Sequence, residues 1–237
     1  QRKCGSDGVD WNYARGDHCC GLTRNMVTHW EFYWSSKYNK GALTLAEKLQ
    51  GLQNALGATD LRGHEWQYFA KSWEPITFKR KAIITNEGQT EKYLYFVVEG
   101  VQRIYHCSDA GREATILFTY APSFGGVLDS FLLQRPSKFF YESLTKTECL
   151  RIPHAPFVDG TQQIPALDAL IKQQVYQALS GLLERMVELQ TFTSEEKLGA
   201  LMQRSPHILH LIPQKYLANY LGMDATNFSK LINSIRF

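Results

Sequence analysis

The sequence between residues 214 and 233 constrains the fold more than any other part of the chain. It fits two short helices that cross at a steep angle and are joined by a tight turn. Ala218 is the small residue needed where such helices touch, and Gly222 stands where the chain would turn with a positive φ. Apolar residues stand at positions that would face a shared core, namely Leu217, Leu221, Met223, Phe228 and Leu231. The segment therefore predicts a helix-turn-helix.

The ends of these two helices also carry matching residues. Pro213 suits the first turn of the first helix, and Asp224 is placed to cap the second. In a helix-turn-helix the second helix enters the major groove, where asparagine can pair with adenine and lysine with guanine or phosphate. The residues predicted to contact double-stranded DNA are Gln214, Lys215, Ala225, Thr226, Asn227, Ser229, Lys230 and Asn233. A helical hairpin without a DNA role is the alternative interpretation.

A long apolar seam precedes this segment. Its members step by three and four positions, and they are Ile164, Leu167, Ile171, Val175, Ala178, Leu182, Met186 and Leu189. The pattern predicts a long helix, and Leu179 and Leu183 widen its apolar face. We expect one side to pack on the chain's own β-domain and the other on a second subunit; packing on the β-domain alone is the alternative. Thr193 and Glu196 form a capping-box pattern that starts another helix.

The region between residues 75 and 153 is rich in β-forming residues. Short candidate strands lie at 76–78, 82–84, 93–98, 101–106, 115–120 and 149–152, and Gly-containing turns separate several of them. Many short strands with tight turns predict a jelly roll or barrel. Before it, leucines at helical spacing from Leu45 to Leu56 predict a helix that stops at Gly57, and Asp60 is the expected N-cap of a second helix.

Composition and charge add few limits. The 237 residues carry a formal net charge of +3, which neither requires nor excludes a nucleic-acid partner. The five cysteines, an odd number, match no zinc or disulfide framework, so no metal site is expected. The sequence contains no apolar run long enough to cross a membrane, and the first residues lack the apolar core of a signal peptide. We therefore expect a cytoplasmic protein with no membrane contact.

The order of a β-rich domain, a long helix and a helix-turn-helix resembles the Crp/Fnr family of bacterial regulators. Residues 93–101 (YLYFVVEGV) resemble the central hairpin of that family, and residues 212–223 (IPQKYLANYLGM) are similar to the version common in Bacteroidetes members. The resemblance implies an α+β fold, with a β jelly roll of the cyclic-nucleotide-binding type, a dimerisation helix and operator binding by a homodimer. The expected parts are an irregular extension (1–42), the jelly roll (43–160), the dimerisation helix (161–192) and the helix-turn-helix domain (193–237).

The effector pocket departs from the pattern of family members that bind cyclic AMP. In those members a Phe-Gly-Glu turn opens a short helix whose amides hold the phosphate, the Glu binds the ribose, and a later Arg neutralises the phosphate. Here Gly126 replaces the Glu, and Ser137 stands at the Arg position. The predicted pocket residues are Phe124, Gly125, Gly126, Val127, Arg135, Ser137 and Lys138. We expect a small anionic effector other than cyclic AMP, or none, and no cofactor.

Three other functions stay open at this point. A cyclic-nucleotide-responsive regulator is one, and a ligand sensor that acts through protein partners, with a degenerate helix-turn-helix, is another. A cupin-like enzyme is the third, but its metal needs clustered His and Glu ligands, and the β region holds only His106 and His154, far apart. We therefore predict a transcription regulator with no catalytic residue.

Overall fold

The computed structural model describes residues 43–234, so the predicted N-terminal extension lies outside the described residues. Helix α1 (Leu45–Leu56) starts at a capping box between Thr44 and Glu47 and ends at Gly57, whose φ is 69°. Helix α2 (Gly63–Ala70) follows. The predicted N-cap of α2 was wrong: Asp60 lies in a short 3-10 turn, and Arg62 takes the N-cap position, where its backbone N–H bonds the Glu65 carboxylate.

Within the described residues, eight strands form two antiparallel four-stranded sheets. The first sheet has the order β1 (Glu74–Phe78), β8 (Thr147–Pro153), β3 (Tyr93–Glu99), β6 (Ser123–Gly125). The second has the order β2 (Ile83–Thr85), β7 (Phe140–Ser143), β4 (Val101–Cys107), β5 (Glu113–Tyr120). The strand order confirms the predicted jelly roll, and it leaves β5 at an open edge of the second sheet.

Side chains from both sheets fill the space between them. Tyr95, Val97 and Cys149 of the first sheet pack with Ile104 and Tyr141 of the second, and all five are at most 8% exposed. The six predicted strands are confirmed, whereas β6 and β7 were not predicted. Both are very short, and pairing with neighbours distant in the chain, rather than their own residue pattern, makes them strands.

Helices cover the jelly roll and continue to the end of the described chain. They are α3 (Leu128–Leu133), α4 (His154–Gln163), α5 (Pro165–Thr191), α6 (Ser194–Arg204), α7 (Ile208–Leu211), α8 (Gln214–Tyr220) and α9 (Ala225–Ser234). The long helix α5 and the capping box at Thr193 are as predicted. No helix within residues 43–234 combines the length and the apolar character needed to cross a bilayer.

Helical structure begins earlier than predicted, because α4 precedes the long helix. Its sequence contains Pro156 and Gly160, which weaken a helical pattern. Gly160 is nonetheless required by packing, since a Cβ there would approach the Phe69 ring to 2.7 Å. Ile164 therefore separates two helices rather than beginning one.

Candidate nucleic-acid interface and sensor pocket

The two C-terminal helices pack through the residues that the sequence singled out. Leu217, Ala218, Leu221 and Phe228 are each at most 1% exposed, and Met223 and Leu231 pack against them. Gly222 adopts a φ of 65°, which reverses the chain between α8 and α9. The Met223 N–H donates to the Ala218 carbonyl over 2.9 Å and closes the turn. The predicted helix-turn-helix geometry is confirmed.

Helix α9 begins with a side-chain cap. The Asp224 carboxylate accepts the backbone N–H of Thr226 at 2.8 Å and that of Asn227 at 3.3 Å. These two hydrogen bonds lower the pKa of the Asp224 carboxyl below its usual value. A cap of this kind fixes the start of the helix, so the positions of the side chains in its first turn are well defined.

The residues predicted to contact DNA lie on the outer sides of α8 and α9. Gln214 and Lys215 are exposed in the first turn of α8. On α9, Ser229 is half-buried, and the others are exposed, namely Ala225, Thr226, Asn227, Lys230 and Asn233. The buried Phe228 lies on the opposite side of α9. The helix therefore presents a polar surface with one lysine, which no other part of the described chain covers.

Helix α8 is joined to the open edge of the jelly roll by an asparagine. The Asn219 side-chain amide donates to the Glu113 carbonyl at 2.7 Å, and its oxygen accepts the Thr115 N–H at 2.6 Å. The Asn219 side chain thus bonds two backbone groups of β5 that a further strand at this edge of the sheet would otherwise bond. Asn219 was not predicted from the sequence, because its partners lie more than 100 positions away.

A buried arginine supports the same junction. The Arg103 guanidinium bonds the carboxylates of Glu142 at 2.8 Å and Glu113 at 2.7 Å. It also lies between the rings of Tyr105 and Tyr216, 3.9 and 4.4 Å from their centroids. Burial by itself would lower the pKa of Arg103, but the two carboxylates raise this pKa by more than burial lowers it. The pKa of Arg103 is therefore above its usual value, and the guanidinium stays charged. Because Tyr216 belongs to α8, Arg103 links the second sheet to the helix-turn-helix.

The residues of the predicted effector pocket lie on two neighbouring segments. Gly125 packs so closely that a Cβ would stand 2.2 Å from the Tyr141 hydroxyl, and Gly126 has a φ of 106°. Ser130, in α3, connects the segments by donating to the Arg135 carbonyl. Phe124 packs against Phe96, and Val127 is buried in the jelly-roll core. The structure thus brings the two segments together.

The polar residues of this pocket do not converge on a common point. Ser137 is 3% exposed, and its hydroxyl is engaged by the backbone N–H and carbonyl of Phe139. Arg135 and Lys138 have exposed side chains. The two cationic residues of the predicted pocket therefore lie at the surface.

A buried carboxylate that was not predicted from the sequence lies at this turn. Glu91 is 2% exposed, and its Oε2 accepts the Thr85 hydroxyl at 2.6 Å and the Val127 N–H at 3.4 Å. Its Oε1 accepts the N–H groups of Lys92 and Tyr93 at 3.0 and 3.3 Å. Burial raises the pKa of the Glu91 carboxyl, and these hydrogen bonds offset part of the increase. In sequence Glu91 looks like an ordinary turn residue.

Comparison with known proteins supports the same architecture. The family model described as the cyclic nucleotide-binding domain matches residues 75–163. A search of curated proteins gave no significant match. Among solved structures, FixK2 from Bradyrhizobium japonicum has a TM-score of 0.62 at 15% identity, covering 68% of this chain and 83% of its own.

Two further structures extend the comparison. A protein from Eubacterium rectale assigned to the Crp/Fnr family of transcriptional regulators gives a TM-score of 0.59 at 15% identity, covering 74% of this chain and 84% of its own. The c-di-GMP-responsive global regulator CLP of Xanthomonas campestris gives 0.56 at 15% identity, covering 73% and 90%. The resemblance predicted from sequence is thereby confirmed for the fold: residues 75–163 match the cyclic nucleotide-binding domain, and the architecture of the chain is similar to that of a solved Crp/Fnr regulator.

Proposed function

We propose that this chain is a dimeric, DNA-binding transcription regulator whose jelly roll responds to a signal other than cyclic AMP. The observation that carries the proposal is the outer face of α9. It combines a capped helix start, exposed short polar side chains and Lys230, on a helix whose inner side is anchored by the buried Phe228. Such a surface suits the major groove, where Asn227 and Lys230 would contact base edges or phosphate.

The dimer is proposed from helix α5. One part of its surface leaves large apolar side chains 40–66% exposed, namely Tyr176, Leu179, Leu182, Leu183, Met186, Val187 and Leu189. A contiguous apolar surface of this kind marks an interaction site. A second copy would cover it by packing helix on helix, and the dimer would present two recognition helices. These would enter successive major grooves if they lie about 34 Å apart.

The sequence departures at the effector pocket argue against cyclic AMP. Gly126 has no side chain to bind a ribose hydroxyl, and the Ser137 hydroxyl is engaged by Phe139. A small anionic effector would have to bind through the exposed side chains of Arg135 and Lys138, because the backbone N–H groups at this turn already donate to the buried Glu91 carboxylate. We propose no catalytic residue and no cofactor, and we expect such a regulator to work in the cytoplasm, where its DNA lies.

A binding experiment with genomic fragments tests this function. We expect the protein to select specific fragments at moderate salt, with a log–log salt slope of about −0.9 per phosphate contacted. The double variant Asn227→Ala with Lys230→Ala should lose selective binding, at about 1–3 kcal/mol per base contact removed. The matched control, Asn54→Ala with Lys79→Ala, makes the same changes away from α9 and should bind normally. A folded dimer that prefers no fragment would contradict the proposal.

A further inference from the structure

Glu91 is a buried carboxylate that forms no ion pair with any residue of the described range 43–234. The nearby Arg135 and Lys138 have exposed side chains. A carboxylate loses favourable hydration on burial, so it needs strong hydrogen bonds from the protein to remain in place. Glu91 therefore differs from a surface carboxylate, because hydrogen bonds from the protein and not water must stabilise it.

Four hydrogen-bond donors converge on this carboxylate. Three backbone N–H groups, from Lys92, Tyr93 and Val127, and the Thr85 hydroxyl point at its two oxygens. They come from three separate parts of the chain: β2, the start of β3 and the turn between β6 and α3. Each oxygen accepts at least one backbone N–H, so the site favours a planar group with two acceptor atoms.

Further contacts tie Glu91 to both segments of the predicted effector pocket. Its own N–H donates to the Ser130 hydroxyl at 2.9 Å, and Ser130 donates in turn to the Arg135 carbonyl at 2.5 Å. The Gln134 side chain reaches the Glu91 carbonyl at 3.4 Å. Across the turn, a Cβ built on Gly126 would lie 3.7 Å from Oε2. Any ligand group that approached Gly126 from this side would therefore meet the carboxylate.

We propose that Glu91 is a built-in anion of the sensor pocket: it takes the donors that an anionic effector would use, and it repels such an effector. A second negative charge at this turn would lie close to the first in a poorly hydrated site, which is strongly unfavourable. The chain therefore orders this turn without an external anion. The inference deepens the proposed regulator function, but its test measures stability and ligand binding and needs no DNA.

The first experiment uses the wild-type chain of 237 residues. Inorganic phosphate and cyclic AMP are titrated into the protein by calorimetry, and thermal unfolding is followed at rising concentrations of both. We expect no saturable heat and no saturable rise in Tm, because the donors are already occupied. Saturable binding of either anion at millimolar concentration or tighter would overturn the proposal.

The second experiment removes the built-in anion. Glu91→Ala leaves four donors unpaired, so its Tm should fall, and formate should restore part of the loss in a saturable way. Formamide, which is neutral, should not restore the Tm. The control Val97→Ala truncates another buried side chain, 0% exposed in the wild type, and reports the general effect of formate on a weakened core. An equal response of both variants to formate would overturn the proposal.

If Glu91→Ala does not fold, a third variant tests the proposal in its place. Glu91→Gln keeps the size of the side chain but turns an NH₂ group toward at least one backbone N–H, because both carboxylate oxygens accept one. We expect a Tm below that of the wild type and no response to formate, since the site remains filled. A Tm equal to or above that of the wild type would show that the donors do not hold an anion.

Discussion

At the scale of single residues, Glu188 holds the junction between the long helix and the helix-turn-helix. It lies on α5, where the Arg185 guanidinium donates to it at 3.0 Å, and Arg204 of α6 donates to both of its oxygens. Arg185 also donates to the Tyr220 carbonyl at the end of α8. One carboxylate thus organises two arginines that connect three helices.

This arrangement predicts a pH dependence. Burial raises the pKa of Glu188, but the hydrogen bonds from Arg204 and Arg185 outweigh it, so the folded-state pKa lies below the usual value. The stabilisation is therefore present at neutral pH, above the unfolded-state pKa, and is lost as the pH falls through the folded-state pKa. Glu188→Gln should lower the free energy of unfolding by about 1–2 kcal/mol at neutral pH, and the difference from the wild type should shrink in acid.

Urea denaturation at several pH values measures this difference. Glu184→Gln, an exposed glutamate on the same helix, is the control and should change stability little at any pH. A Glu188→Gln effect that stays constant from neutral to strongly acidic pH would contradict the role given to the carboxylate.

At the scale of elements, the helix-turn-helix is docked on the edge strand of the jelly roll. Val101, Phe118 and Leu144 of the β-domain share one hydrophobic cluster with residues of α6 to α9. Asn219 completes the polar side of the contact, since it bonds the backbone of β5 as a neighbouring strand would. This contact also protects the open edge of the second sheet, which would otherwise be free to pair with another chain.

Asn219→Ala tests this contact. The change leaves the Thr115 N–H and the Glu113 carbonyl without their partner, and we expect a loss of about 1–3 kcal/mol in the free energy of unfolding. Amide exchange at Thr115, followed by NMR, should become faster than in the wild type, while exchange in the strands between the sheets changes less. Asn54→Ala serves as the control, and unchanged protection at Thr115 in Asn219→Ala would refute the contact.

At the scale of the whole molecule, the two sides of α5 have different roles. Leu167, Arg185 and Glu188 are buried against the chain itself, whereas Leu179, Leu183 and their apolar neighbours are exposed. A helix that is apolar on a side its own chain does not cover is expected to meet a partner helix. The proposed dimer accounts for this exposed apolar surface.

Leu183→Glu tests the dimer. A charge placed in the proposed helix–helix contact should weaken dimerisation more than tenfold, and a second substitution, Leu179→Glu, should make the chain a monomer in sedimentation experiments. Leu133→Glu puts the same charge on α3, at a leucine that is 59% exposed, and should leave the dimer intact. A folded Leu183→Glu, Leu179→Glu protein that remains dimeric would contradict the proposed surface.

The predictions that succeeded from sequence depend on local chemistry. Gly222 at a positive φ, the Asp224 cap, the Thr193 capping box and the spacing of leucines in α5 each concern residues within about two turns of one another. Backbone sterics and periodic burial act over that range, so the pattern itself specifies the element. The helix-turn-helix and the long helix could therefore be predicted with their order.

Only the tertiary structure decided which side chains connect these elements. The partners of Asn219 lie more than 100 positions away, Arg103 joins Glu142 across 39 positions, and Glu91 reaches Val127 across 36. Neither β6 nor β7 is a strand without its distant neighbour. Hydrogen bonds of this kind depend on where the folded chain places a donor and an acceptor, and no local pattern carries that information.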